Sequence, residues 1–226
     1  MTTRPAVRLI GLGKSYAELD ALDPLDLEIA RGESVALVGH NGSGKSTLLR
    51  LLAGLLEPTT GTARIMGHDL GSLGARAALT FIPDDPVLYD DLSVREHVEY
   101  LSRLHGGPGC DDEANALIDR LGLARRADDL PTRFSRGLRQ RTSVLVALSR
   151  PFDVLLVDEP FVGLDSAGKA TVLALFREAT ERGAAVSVAT HEEHYVARVD
   201  RCIALRDGVL VHDGTATPDD VVRLVS

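Results

Sequence analysis

The sequence contains no tryptophan, only two cysteines and only 4% aromatic residues among its 226 positions. Cys110 and Cys202 lie far apart and outside any C-x-x-C pattern, which argues against a disulfide framework and against a zinc site. The longest apolar run, around Val154–Val157, is far shorter than the roughly 20 residues needed to cross a bilayer. The sequence therefore predicts two free thiols and no membrane-spanning segment.

The chain also lacks an excess of positive charge, because 33 acidic residues against 25 basic ones give a net charge of −8. Broad attraction to nucleic acid is therefore not expected, and we predict no nucleic-acid partner. Met1–Pro5 precedes no apolar leader, and no repeat or low-complexity linker follows, so we expect a cytosolic location and a single domain over residues 1–226. One local basic cluster stands out against this acidic balance: Arg133, Arg136, Arg139 and Arg141.

Apolar segments alternate with helical patterns along the chain. Continuous apolar runs predict strands buried on both faces, as in parallel sheets, whereas the alternation in Leu25–Ile29 predicts a half-exposed antiparallel strand. The predicted fold class is α/β, with a mixed, largely parallel central sheet and antiparallel N-terminal strands. Strands are expected near 7–10, 25–29, 34–38, 63–66, 79–82, 152–157, 185–189 and 202–205, and helices near 46–56, 94–105, 111–121, 136–149, 166–182 and 192–199.

Helical patterns follow one another without an intervening strand in the middle of the chain. Ser93 and Glu96 have the spacing of a capping box at the start of the first pattern. We therefore expect a helical subdomain at approximately 86–149, inserted in the core. Near the C-terminus, Asp207-Gly208 between two apolar pieces predicts a hairpin.

A glycine-rich segment, Gly39–Ser46, fits the pattern G-x-x-x-x-G-K-[ST] and follows the apolar run Ser34–Val38. Converging backbone N–H groups surround a polyphosphate, and the glycines keep side chains out of its approach. Lys45 would place a positive charge on the terminal phosphates, and the Ser46 hydroxyl would hold Mg²⁺. The pattern predicts binding of a nucleoside triphosphate by Gly39, His40, Asn41, Gly42, Ser43, Gly44, Lys45, Ser46 and Thr47.

Two carboxylates, Asp158 and Glu159, end the hydrophobic run Val154–Val157, at the end of a strand where ligands collect in open α/β sheets. Asp158 suits Mg²⁺ coordination. Glu159 is suited to orient an attacking water and take its proton. Together with the glycine-rich segment about 110 residues earlier, these carboxylates predict hydrolysis of the triphosphate.

With these motifs in place, the chain resembles the nucleotide-binding subunit of an ATP-binding cassette (ABC) transporter over essentially its whole length, with a P-loop NTPase-like fold. Phe134–Arg141 occupies the place of that family's signature, usually Leu-Ser-Gly-Gly-Gln, and matches it at Ser135 and Gly137. Gly163-Leu164-Asp165 matches the short loop after the catalytic strand, and Thr190-His191 matches the histidine switch after the next strand.

The resemblance implies a role for each matching residue. Tyr16 stands where the family stacks an aromatic ring on adenine. Ser135, a natural helix N-cap, and Gly137 would contact the γ-phosphate of ATP held by a second subunit, so catalysis requires a dimer. His191 would bond the γ-phosphate and steady the water with Glu159, which makes Lys45, Glu159 and His191 the implied catalytic residues.

The resemblance also implies partners. A second ABC ATPase subunit, expected to be an identical chain, would complete each ATP site, and separately encoded membrane-spanning permeases would carry the cargo in an exporter. The chain would then lie peripherally at the inner face of the cell membrane, with Asp85–Gly106 containing the groove that receives a permease helix.

Three positions depart from the family pattern. Arg136 replaces a glycine and Leu138 replaces the glutamine of the signature, while Asp84 replaces a glutamine that normally reaches Mg²⁺. Arg136 is compatible with a cation at the opposing phosphates or with a contact to protein. The carboxylate of Asp84 could still bind the metal, but it adds negative charge near the phosphates, so slow turnover is a hypothesis.

Two other functions share these motifs. A non-transport ABC ATPase acting as a soluble assembly or scaffold module would need the same nucleotide site. A translation or DNA-repair ABC ATPase usually carries tandem cassettes, a coiled-coil insertion or a basic arm, and the sequence shows none of these.

Overall fold

The computed structural model describes residues 4–17 and 19–225. Its strands form two sheets, and helices connect many of the strands. The strands are β1 Val7–Tyr16, β2 Leu19–Ile29, β3 Ser34–Val38, β4 Thr60–Ile65, β5 His68–Asp69, β6 Leu79–Ile82, β7 Val154–Asp158, β8 Ala185–Ala189, β9 Arg201–Arg206 and β10 Val209–Gly214. The helices are α1 Lys45–Leu52, α2 Leu73–Ala78, α3 Val94–Leu104, α4 Asp112–Arg120, α5 Arg136–Leu148, α6 Ser166–Glu181, α7 Glu193–Val196 and α8 Pro218–Val225.

The central sheet has six strands in the order β10-β9-β3-β8-β7-β6, and only β10 runs antiparallel to its neighbour. All five residues of β7 are buried, as its continuous apolar run predicts. Leu155 and Val157 pack into one hydrophobic cluster, whereas Val154 and Leu156 pack into a second cluster on the opposite face. The sheet is therefore the shared wall of two cores.

The second sheet is antiparallel, in the order β2-β1-β4-β5. Its strands β1 and β2 are longer than the apolar pattern predicts and pair as far as Tyr16 with Leu19. The pattern fails beyond Ile10 because the pairing of β1 with β2 shifts register between Leu9 and Leu12 and again near Lys14. Each such irregularity breaks the period of two that marks a strand in sequence.

Helices α3, α4 and α5 all lie between β6 and β7. The predicted capping box is confirmed, because the Ser93 side chain accepts from the Glu96 amide and the Glu96 carboxylate accepts from the Ser93 amide. Val94, Val98 and Val144 of these helices belong to the same cluster as strand residues of β7. The assignment of 86–149 to a subdomain of its own stays a prediction.

Several helix boundaries differ from the sequence expectation. Helix α1 ends at Leu52, and Gly54 follows with a φ of 70° that an L-residue rarely adopts. Helices α2 and α8 are absent from the predicted set, since both are short; α2 contains only six residues and depends on the Ser72 cap. Within the described part of the chain, no helix is long and apolar enough to span a bilayer.

The predicted hairpin is confirmed at Asp207-Gly208, where Arg206 of β9 pairs with Val209 of β10. Both turn residues have positive φ, 50° and 83°, as a tight two-residue turn of this hand requires. The hairpin extends the central sheet at its β9 edge.

The largest fully buried side chain, Phe176 of α6, packs in the cluster between the helices and the central sheet. We expect Phe176→Ala to lower the free energy of unfolding by about 3–5 kcal/mol, because it removes transfer energy and leaves a cavity. Arg177→Ala, one residue on and exposed, should change it by less than about 0.5 kcal/mol. Urea unfolding of both variants measures the difference, and equal effects would contradict this account of the core.

Candidate nucleotide site

Parallel strands bring the predicted site residues to one edge of the central sheet. Leu37 of β3 and Asp158 of β7 both pair with Ala189, the last residue of β8. Ile82 of β6 pairs with Val157 of β7. The carboxyl ends of four adjacent strands therefore meet. Gly39 follows β3, and Asp84 follows β6. Glu159 follows β7, and His191 follows β8.

The glycine-rich segment curls around the side chain of Lys45, the first residue of α1. Lys45 is buried, and its Nζ donates to the carbonyl oxygens of Gly39 and His40 at 2.7 and 3.1 Å. Burial lowers the pKa of Lys45, and the charges of Glu159 and Asp158 partly offset that effect. A buried ammonium held only by carbonyl oxygens is suited to receive the negative oxygens of a phosphate.

Glycine at position 39 is required by the protein itself rather than by the phosphate. Its φ is 155°, and a Cβ there would lie 2.3 Å from the Leu205 carbonyl oxygen and 2.3 Å from Ser43 Oγ. Gly42 faces open space at a φ of 84°, so only this glycine fits the expectation that a side chain would obstruct a ligand. The sequence argument thus gave an incomplete reason for glycine at these positions, and their binding of a phosphate stays a prediction.

Two buried polar atoms of the site have no hydrogen-bond partner among the described residues. They are Ser43 Oγ, inside the glycine-rich segment, and Glu159 Oε1. A buried polar atom without a partner is costly, and such atoms mark places where a water or ligand is bound. Their position beside Lys45 fits a polyphosphate and its attacking water.

Asp158 is buried at the end of β7. Burial raises the pKa of this carboxyl, and a hydrogen bond with the Ser46 hydroxyl lowers it in part. Hydroxyl and carboxylate oxygens are the hard ligands that Mg²⁺ prefers, so these two residues fit the predicted metal. Residues 4–17 and 19–225 contain no group of three or more His, Cys, Asp or Glu placed to hold a metal. Mg²⁺ here would take its other ligands from phosphate and water.

Glu159 adopts a φ of 47°, which is uncommon for a residue with a side chain. Its amide donates to the Ala189 carbonyl at 2.9 Å, which anchors this strained residue to β8. Burial raises the pKa of Glu159 to about 7, against an ordinary value of 4.5. A carboxyl whose pKa lies near neutrality is suited to accept a proton from water.

His191 lies next to this carboxyl. Its Nε2 is 3.0 Å from Glu159 Oε1, an oxygen that has no hydrogen-bond partner among the described residues. Burial and the nearby charge of Lys45 lower the pKa of His191, which favours the neutral ring. The structure therefore brings together Lys45, Asp158, Glu159 and His191, as the sequence predicts.

The signature residues lie at the start of α5, away from this cluster. Ser135 is exposed and caps the helix, as predicted, accepting from the Leu138 amide at 3.3 Å. A Cβ at Gly137 would lie 2.4 Å from the Gly163 carbonyl oxygen, so only glycine lets these two loops approach. No hydrogen bond joins Ser135 or Gly137 to residues 39–47 in the part of the chain described.

Sequence reasoning did not identify the partners of the basic cluster on α5. Arg136 Nη2 donates to Asp84 Oδ1 at 3.1 Å. Arg139 donates to the Pro86 carbonyl at 3.0 Å, and Arg141 donates to Asp165 at 2.6 Å. Of the two alternatives for Arg136, the structure shows the contact with protein. The signal in the sequence was that both members of this pair depart from the family pattern.

Tyr16 ends β1 with its ring about half exposed, and Lys14 Nζ lies 5.0 Å from the ring centroid. An exposed aromatic face fits the predicted stacking on a base. In the glycine-rich segment, His40 Nε2 lies 3.1 Å from Asp207 Oδ1 in the turn between β9 and β10. The adenine role of Tyr16 stays a prediction.

Comparison with known proteins identifies the class. A family model described as ABC transporter matches residues 22–162. The pyoverdine export ATP-binding/permease protein PvdT of Pseudomonas fluorescens is 37% identical over 234 residues, which cover 97% of this chain and 36% of that protein. The chain thus spans about a third of the length of the curated relatives it matches.

Solved structures agree. The structure of an ATP-binding subunit of an ABC transporter matches with a TM-score of 0.88 and 29% identity, covering 97% of this chain and 99% of that one. A dimeric post-hydrolysis state of an ATP-binding cassette, bound to ADP and Pi, matches with a TM-score of 0.85 and 27% identity, covering 92% and 98%. The chain belongs to the ABC transporter family, as an ABC ATPase domain. The predicted family, fold class and ATPase class are confirmed.

Glu159 generates a pH-dependent stability in the nucleotide-free, metal-free protein. Because its pKa rises on folding from 4.5 to about 7, the folded chain holds a proton that the unfolded chain loses, and stability falls as pH rises across this window. We expect Glu159→Gln to be more stable than the parent by about 2 kcal/mol at pH 8, and by much less at pH 5.

Urea unfolding in EDTA at both pH values measures this difference. Glu178→Gln serves as the control of opposite sign, since hydrogen bonds from Arg120 lower the pKa of Glu178. A gain for Glu159→Gln that is the same at pH 5 and pH 8 would show that Glu159 holds no extra proton.

Proposed function

We propose that this chain hydrolyses ATP with Mg²⁺ as one half of a dimer and drives export through a membrane permease. The observation that carries this proposal is the meeting of the Lys45 loop with Asp158 and Glu159 at one edge of the central sheet. Membership of the ABC family supports the reaction, since a structural neighbour contains the products ADP and Pi.

Each residue of the cluster has a step that its surroundings suit. The ammonium of Lys45 exchanges its two carbonyl acceptors for phosphate oxygens. Ser46 and Asp158 would hold Mg²⁺, which when bound would offset negative charge on the phosphates. Glu159 orients water and accepts its proton, because its pKa of about 7 lets it alternate between both forms near neutral pH. The neutral ring of His191, beside Glu159, donates to the γ-phosphate.

A second subunit completes each site in this proposal. Ser135 and Gly137 sit at the exposed N-terminus of the 13-residue helix α5, where free amides and the helix dipole favour an anion. In the part of the chain that the structure describes, no hydrogen bond joins them to the glycine-rich segment, which supports their action on a nucleotide held by another copy. Dimeric neighbours support this arrangement. We propose that the partner is an identical chain.

An exposed apolar patch supports a permease partner. We call it the docking patch, and it consists of Val87, Tyr89, Tyr100 and Leu104. Val87 is 86% exposed and Leu104 is 61% exposed, which is unfavourable unless another surface covers them. The Tyr89 amide donates to the buried His97 at 2.8 Å, which fixes the loop carrying the patch to α3.

The relatives that match are named export ATP-binding/permease proteins, so a permease accompanies the cassette in those proteins. We propose that a helix of a separately encoded permease covers the docking patch here, and that the chain lies at the inner face of the membrane. The relatives named as export proteins favour transport over a scaffold module.

Removal of the proposed base should separate binding from hydrolysis. We expect Glu159→Gln to bind ATP with Mg²⁺ and dimerise, but to hydrolyse it roughly 10²–10⁴-fold more slowly. Phosphate release and size-exclusion chromatography with ATP measure the two properties. Lys45→Ala should lose ATP binding, whereas the exposed Glu113→Gln should match the parent. Undiminished turnover in a pure Glu159→Gln preparation would exclude the assigned role.

A substitution in the docking patch should change membrane association without changing nucleotide binding. Leu104→Arg should detach the chain from membranes of its own cells while leaving ATP binding unchanged, since a charge on the patch cannot be buried cheaply against a permease. Leu55→Arg is the matched control, because Leu55 is 64% exposed and lies outside the patch. Membrane sedimentation of tagged variants measures the association. Equal sedimentation of both variants would place the partner surface elsewhere.

A further inference from the structure

Two departures from the ABC pattern are in direct contact. Asp84, in place of a glutamine, accepts a hydrogen bond from Arg136, in place of a signature glycine, and the Nη2–Oδ1 distance is 3.1 Å. Arg139, on the same helix, adds a second link by donating to the Pro86 carbonyl at 3.0 Å. The segment after β6 is therefore tied to the start of α5.

Asp84 lies close to the carboxylates of Asp158 and Glu159. It follows β6 by two residues, and β6 is the neighbour of β7 in the sheet. Burial is the main cause of the raised pKa values of Asp158 and Glu159, and the charge of Asp84 adds to it in both cases. This third carboxylate is thus within electrostatic range of the place predicted for Mg²⁺.

Arg136 needs an anion at its position. It is the first residue of α5, where the helix dipole is positive, and the first turn contains no acidic residue to compensate. A cation at a helix N-terminus is unfavourable unless a negative group lies nearby. In the structure described here, Asp84 supplies that negative group.

We propose that Arg136 is a positioning residue that holds Asp84 in the nucleotide-free chain, and that Mg²⁺ arriving with ATP displaces the guanidinium from this carboxylate. This inference rests on the proposed function, because it requires Mg²⁺ and ATP at the phosphate loop. Carboxylate oxygens suit Mg²⁺, so metal and guanidinium compete for one group. The released Arg136 then stands beside Ser135, where the phosphates of the second subunit's nucleotide replace Asp84 as its anion.

The pair is weak enough for such an exchange. Its side chains are 57% and 49% exposed, and exposed ion pairs contribute little to stability. A ligand shifts an equilibrium only by its differential affinity for the two states. Breaking the pair should therefore change the affinity for Mg²⁺–ATP by about two- to fivefold, the range that an exposed pair can supply.

A double-mutant cycle, measured in Mg²⁺ and again in EDTA, tests whether the metal and the Arg136 guanidinium compete for Asp84. In the Glu159→Gln background, the dissociation constant of ATP is measured by fluorescent-nucleotide titration, at protein concentrations where sedimentation shows a monomer. With Mg²⁺, we expect Arg136→Gln to bind ATP about two- to fivefold more tightly, because Asp84 is already free. In EDTA this gain should disappear. In the Asp84→Asn background, Arg136→Gln should have no effect with or without Mg²⁺.

The chain offers a matched control pair. Arg126 and Asp129 lie 2.8 Å apart, with side chains 57% and 47% exposed, and they are not part of the site. Arg126→Gln should leave ATP affinity unchanged in Mg²⁺ and in EDTA. In the nucleotide-free protein, urea unfolding of Arg136→Gln, Asp84→Asn and the double variant should give a favourable interaction free energy between the two side chains. A contact that formed only with bound nucleotide would give no such interaction.

The outcomes separate the two proposals. Unchanged Mg²⁺–ATP affinity in Arg136→Gln, or an equal gain in EDTA or in the Asp84→Asn background, would overturn the competition while leaving the ATPase proposal intact. Absence of Mg²⁺–ATP binding in the parent background would overturn the proposed function and this inference with it.

Discussion

The structure depends on holding one buried ammonium close to two carboxylates at the carboxyl edge of a parallel sheet. Lys45 is buried against carbonyl oxygens, and Asp158 and Glu159 are held in a site that raises the pKa of both. Burial disfavours each charge, while the mutual attraction of opposite charges offsets part of the cost. In the proposed function, phosphate oxygens of the nucleotide would replace the carbonyl acceptors of Lys45. The parallel strands of the central sheet hold these three groups at one edge.

The second organising feature is the set of links from α5. Arg136, Arg139 and Arg141 reach Asp84, the Pro86 carbonyl and Asp165 respectively, so the start of α5 contacts two of the four segments that leave this edge of the sheet, those after β6 and β7. Asp165 also caps α6 by accepting from the Gly168 amide. Helix α5 is thus linked directly to Asp84, which follows β6, and to Asp165, which precedes α6. This explains why a net-acidic chain concentrates arginines at one short segment.

Much of the site could be predicted from the sequence, because its chemistry is local. The glycine-rich segment, the paired carboxylates after β7 and the Ser135 cap each follow from residue types at fixed spacing. What could not be predicted depends on distant segments. The collision that requires Gly39 involves Leu205, and the partner of Arg136 lies 52 residues away. The ends of β1 and β2 were missed because register shifts break their period, and α2 because six residues carry too little pattern.

The β9–β10 hairpin, in the C-terminal part of the chain, contacts the glycine-rich segment. The Gly208 amide donates to the Ser43 carbonyl at 3.1 Å, and the Leu205 carbonyl closes the space behind Gly39. Residues 22–162 match the family model, yet the glycine-rich segment also contacts residues after 200. A chain truncated before β9 would therefore keep the residues from Tyr16 to His191 that resemble the family, but the Ser43 carbonyl would lose its donor and the space behind Gly39 would open.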